Sequence, residues 1–174
     1  MKKYFLLVVS LSLVTLQAQL LVSPIDAMGE QYGATANITK KNILLSNAKY
    51  TNIQKNAKTK LTTKIYRIFT AKKENKILGY GILINRKVRS KNAVVLYFIH
   101  NATLQDIEII AFNEPMEYLP TKRWNGQFTH INTDTLLQLN RDIPSISGAT
   151  MSARSVVEGS RIAFAVYNEL LGKK

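Results

Sequence analysis

The chain has 174 residues, 46% of them hydrophobic, enough for one domain with a core of its own. It has no cysteine and only two histidines, His100 and His130. This excludes disulfides, iron–sulfur clusters and thiolate zinc sites, and argues against haem or copper. The formal net charge is +13, with basic residues gathered at Lys40-Lys41, Lys55–Lys64, Lys72-Lys73 and Arg86–Lys91.

The chain opens with a basic head, Lys2-Lys3, and an apolar run from Tyr4 to Leu16. The run is short for a membrane span, which needs about 20 apolar residues. The pattern reads as an export signal over residues 1–18, cleaved after Ala18. An uncleaved anchor is the alternative, because Leu20, Leu21 and Val22 prolong the apolar stretch. Export implies a periplasmic or extracellular protein, with membrane association if the anchor stays. There the basic charge points away from nucleic acid, for which no recognition motif is present. It suits an anionic membrane surface, an acidic partner or an anionic ligand, or is simply a solvated face.

Residues 24–34 read as a short helix or turn. Residues 35–58 are polar and mixed, with a helix expected around Asn52–Lys58. Leu61–Thr70 is rich in β-branched and aromatic residues and reads as a strand. Lys72–Asn75 is a turn, and Lys76–Ile84 the returning strand. Gly79 and Gly81 flank Tyr80 there, and glycine within a strand marks a bulge or the close approach of another group. Asn92–His100 is apolar almost throughout, which predicts a strand buried on both faces. Asn101–Thr103 turns the chain into a fourth strand, Leu104–Phe112. Pro115 and Pro120 then break the pattern. Thr121 can cap a short helix through Arg123, Trp124 and Phe128. A last helix is expected over about Ser152–Leu171, where Val156, Ala163, Tyr167 and Leu170 recur at helical spacing. The sum is an α+β fold, an antiparallel sheet with flanking helices and a C-terminal helix.

Chemistry concentrates where a loop feeds that last helix, at Ser147-Gly148-Ala149-Thr150-Met151-Ser152. Small side chains let a ligand approach the backbone, and Gly148 can take the positive φ of a tight turn. A helix N-terminus presents unpaired N–H groups and the positive end of the helix dipole, a seat for phosphate. Ser147, Thr150, Ser152 and Ser155 bring hydroxyls, and Arg154 brings charge. A plain helix cap through Thr150 or Ser152 fits the same spacing.

Ser147–Ser152 resembles the flavinylation motif of the FMN-binding domain family. That family includes the flavin-bearing subunits of the sodium-translocating NADH:quinone reductase and of the Rnf complex, and many small exported flavoproteins. The segment from Phe112 to Trp124 is similar to a stretch of its stand-alone exported members. The likeness covers roughly residues 76–165 and implies an FMN-binding domain over 24–174. It also implies that Thr150 is joined to FMN through a phosphoester made by a separate flavin transferase from FAD with magnesium. Gly148 and Ala149 then give close backbone approach, and Ser152 with the new helix holds the phosphate. The family carries aspartate three residues before the serine. Here that position is Pro144, with Asp142 the nearest carboxylate, so non-covalent FMN is the alternative. The Gly33-Ala34-Thr35 repeat lacks the preceding serine and is read as chance.

On that resemblance, Tyr118 and Trp124 are candidates to line a pocket for the isoalloxazine ring. Glu114 either bonds the ring or ends the strand. Arg123, Arg141 and Arg154 are candidates for the charge that stabilises reduced flavin. No nucleophile accompanies the histidines, so the expectation is an electron carrier rather than a turnover enzyme. It would pass electrons between a membrane complex or periplasmic donor and an acceptor. The rival expectation is a non-redox exported module for an anionic ligand.

Overall fold

The computed structural model describes residues 20–172. The expected export signal, residues 1–18, lies outside the described residues. Six strands form one antiparallel sheet in the order β1 to β6: β1 (Asn37–Leu44), β2 (Ile65–Lys73), β3 (Lys76–Lys87), β4 (Asn92–His100), β5 (Thr103–Phe112) and β6 (Ile131–Asn132). Four helices accompany them: α1 (Pro24–Tyr32), α2 (Asn47–Ala57), α3 (Lys122–Asn125) and α4 (Thr150–Leu170). The fold is α+β, an antiparallel sheet flanked by helices and closed by a C-terminal helix.

Helices cover both faces of the sheet. On one face α4 lies across β3 and β4 and is braced by α2. The core there includes Tyr97, Ile99, Ile107, Phe112, Val156 and Phe164. On the other face α1 packs its Ala27 and Met28 onto Phe69, Leu96, Phe98 and Ile110. This two-sided cover is why Val95–Ile99 is apolar at every position and buried throughout. It also explains the strand glycines. A Cβ on Gly79 would overlap the Tyr32 ring, and one on Gly81 the Met28 sulfur, so α1 can lie flat on β3 only because neither has a side chain. The β2–β3 register shifts beside Gly79, between Ala71 and Lys72.

Three expectations need correction. Residues 35–58 hold a full strand, β1, before α2, and α2 begins at Asn47, five residues before the expected start. β1 is an edge strand with an almost wholly exposed sequence, Asn-Ile-Thr-Lys-Lys-Asn-Ile-Leu, so its pairing with β2 and not its own hydrophobicity makes it a strand. The short helix starts as expected, with Thr121 Oγ1 accepting the Trp124 N–H at 3.2 Å, but α3 ends at Asn125 and does not include Phe128. Tight turns take over, with the N–H of Phe128 donating to Asn125 O at 2.9 Å. The last helix starts at Thr150, two residues earlier than its periodicity implies. Among the described residues no helix is long and apolar enough to cross a membrane.

Candidate functional site

The start of α4 is set by the turn before it. Gly148 has φ +76°, a conformation costly for any residue with a Cβ. The N–H of Ala149 closes the turn onto Ile146 O at 3.0 Å, and Thr150 is then the first helical residue. The N-cap position falls on Ala149, whose side chain cannot accept a hydrogen bond. The expected cap through Thr150 or Ser152 is therefore not made. Thr150 Oγ1 instead donates back to Ile146 O at a long 3.4 Å, and Ser152 Oγ has no partner among the described residues. The backbone amides of Thr150, Met151 and Ser152 make no hydrogen bond there either. This 21-residue helix thus ends in three free N–H groups, at the positive end of its dipole.

This end of α4 lines a cavity of about 240 Å³. It is lined by Gly148, Ala149, Thr150 and Ser152 on one side and by Glu114 and Tyr118 on the other, with Val88, Arg89 and Met151 completing the wall. Ser152 is 2% exposed. A buried hydroxyl with no acceptor is uncommon in a native fold. Thr150 is exposed, so its hydroxyl is open to a second molecule.

The rest of the expected set is placed differently. Ser147 is exposed and outside the lining. Trp124 is also outside it: it is buried, its ring centroid lies 5.0 Å from that of Phe128, and its Nε1 donates to Pro144 O at 2.9 Å. It props the loop from below. Arg123, Arg141 and Arg154 do not line the cavity, and Arg141 pairs with Asp142 at 3.1 Å.

Glu114 is committed to the chain. Its Oε1 accepts from the amides of Arg89 (3.0 Å), Ser90 (2.6 Å) and Lys91 (2.7 Å), and its Oε2 from the Ser90 hydroxyl (3.1 Å). These donors, the Lys91 amide foremost, hold its pKa down at about 2. The carboxylate therefore moulds the β3–β4 turn and with it the position of Arg89. Arg89 is the cation that sequence reasoning missed. It lies about 60 residues before the motif, and no local pattern marks it. Its charge is felt at Tyr118, whose phenol pKa is raised by Glu117 beside it and lowered by Arg89.

Chemically, the arrangement offers one exposed hydroxyl, free amides, one buried hydroxyl donor and one arginine around a small concavity. That is the equipment for an oxyanion. Among the described residues, no group of three His, Asp or Glu side chains is placed to hold a metal ion. Comparison of the sequence with models of known protein families, and with curated proteins, finds no match.

Proposed function

We propose that the Gly148–Ser152 junction seats the phosphate of FMN, that Thr150 carries it as a phosphoester, and that the protein is an exported electron carrier. The observation that carries this reading is the N-terminus of α4, which has no side-chain cap and lines a cavity beside the exposed Thr150. The resemblance of Ser147–Ser152 to a flavinylation motif supports a flavin as the bearer of that phosphate.

The residues present fit such a group. The amides of Thr150, Met151 and Ser152 and the Ser152 hydroxyl would hold the phosphate, with Arg89 balancing its charge. Thr150 Oγ1 would be the atom esterified: its bond to the flavin-side phosphorus of FAD would replace the pyrophosphate bond, with AMP as leaving group and the hydroxyl proton passing to AMP or water. When bound, the flavin supplies reversible uptake of electrons. A cavity of about 240 Å³ is smaller than the usual ligand pocket of roughly 300–1,000 Å³. It has room for a phosphate, and a flavin ring held beside it would remain open to solvent. An open ring suits a carrier that must meet its redox partner, such as a membrane complex, more than an enzyme that must exclude water.

One observation favours a second reading, non-covalent binding of FMN or another anion. Pro144 stands where the related motif has aspartate, and the nearby Asp142 is engaged by the Gln138 amide (2.8 Å) and by Arg141. The two readings separate on co-expression with a flavin transferase. Covalent FMN gives a fluorescent band on a denaturing gel, absent from Thr150→Val. Non-covalent FMN gives a yellow native protein and no such band. A colourless protein that takes up no added FMN contradicts the flavin reading in both forms.

A further inference from the structure

A second cavity, of about 500 Å³, lies between the C-terminal end of α2 and the middle of α4. Three cations line it, Lys55, Lys58 and Arg161, against one carboxylate, Asp134. That carboxylate is already engaged, accepting from Asn168 Nδ2 at 3.2 Å. Lys55 and Lys58 are explained in part by position, because cations near a helix C-terminus complement its dipole.

Arg161 has no such explanation. Its side chain is only 16% exposed, yet its guanidinium makes no hydrogen bond among the described residues, and its Nε is buried without a partner. Its nearest carboxylate oxygen, on Glu158, is 3.9 Å away. Glu158 gives its short contact to Arg86 instead, so two arginines share one carboxylate. A desolvated, under-neutralised guanidinium at a cavity wall is costly unless an acceptor fills the cavity. Burial lowers the Arg161 pKa and the Arg86 charge adds to that, while Glu158 alone opposes them.

We infer that the α2–α4 cavity binds a phosphate-type oxyanion, held by Arg161 with Lys55 and Lys58 and assisted by the exposed Thr135 hydroxyl. The site stands apart from the Gly148–Ser152 junction. It shares no lining residue with the cavity there and does not depend on the flavin reading. The phosphate could belong to a soluble ester or to a lipid headgroup, and the two sources are experimentally distinct.

The test is a titration of the purified protein with inorganic pyrophosphate at constant ionic strength, read by thermal denaturation. In parallel, sedimentation is measured with phosphatidylglycerol vesicles. Saturable stabilisation by pyrophosphate supports a soluble phosphate. Vesicle binding without a pyrophosphate response supports a headgroup. In either arm Arg161→Gln and Lys58→Gln must weaken the response about tenfold, as loss of a charge-assisted contact does. Lys40→Gln, on the β1 edge, must leave it unchanged. Lys58 is exposed, so its variant keeps the test valid if Arg161→Gln folds poorly. No saturable response in either arm, or equal weakening by Lys40→Gln, overturns the site.

Discussion

Ser152 and Glu114 show how differently two buried polar groups at one cavity are used. The Ser152 hydroxyl has no partner, so removing it relieves an unmet donor instead of breaking a bond. We predict that Ser152→Ala leaves the ligand-free protein as stable as before, or up to about 1 kcal/mol more stable by thermal denaturation. The same change weakens uptake of FMN or phosphate. A clear loss of stability would mean that the hydroxyl bonds within the fold. Glu114 is the reverse case, with every donor around it supplied by the Arg89–Lys91 turn. Its folded pKa, about 2, lies below the roughly 4.3 of an unfolded glutamate. Its stabilising effect is therefore complete above about pH 5 and fades as pH falls from there towards 2. Glu114→Gln removes that effect at neutral pH and flattens this part of the acid limb. The loss at pH 7 is at least about 1.5 kcal/mol, the scale of a hydrogen bond to a charged group. Equal acid sensitivity in the two proteins contradicts the assignment.

Among the elements, α4 both closes the core and presents the site, so its attachment to the sheet matters twice. Tyr97, fully buried on β4, donates its hydroxyl to Val156 O at 2.8 Å, one and a half turns into the helix. A side chain at Gly159 would collide with that hydroxyl, which shows how closely helix and strand approach. Tyr97→Phe leaves a buried carbonyl with only the Ser160 hydroxyl as its side-chain donor (3.1 Å). We predict a cost of about 1 kcal/mol in chemical denaturation with the fold retained. No measurable change would mean that packing alone seats the helix.

The same elements show what the sequence makes legible. β4 announces itself because both its faces are buried, and Val95–Ile99 leaves no polar residue to confuse the pattern. The glycines of β3 signalled a close approach, and α1 is what approaches. β1 was silent, since an exposed edge strand has no apolar face to display and is defined by its partner. The motif side of the cavity could be read from Gly148 to Ser152, because local backbone geometry and small side chains create it. On its opposite wall Glu114 and Tyr118 were among the candidates, but Arg89 was not, because it arrives through a turn moulded by Glu114, a tertiary contact with no local period. Trp124 misled for a related reason. An aromatic ring near a motif can line a pocket or support its floor, and only the bond from its Nε1 to Pro144 O distinguishes the two.

At the scale of the whole molecule, the described residues form a sheet covered by helices on both faces, with the uncapped N-terminus of α4 at its surface and a strong excess of basic residues. On the proposed reading such a body would hold a tethered anionic cofactor at one point, while its net charge, +13 for the full chain and less by Lys2 and Lys3 after cleavage, would favour encounter with acidic partners or membranes. The proposal that Thr150 carries FMN is decided by the intact mass of the protein after co-expression with an active flavin transferase. We predict a gain of one FMN less one water, mapped to the peptide that contains Thr150 and absent from Thr150→Val. A mass equal to the bare polypeptide, or an adduct that survives in Thr150→Val, contradicts it.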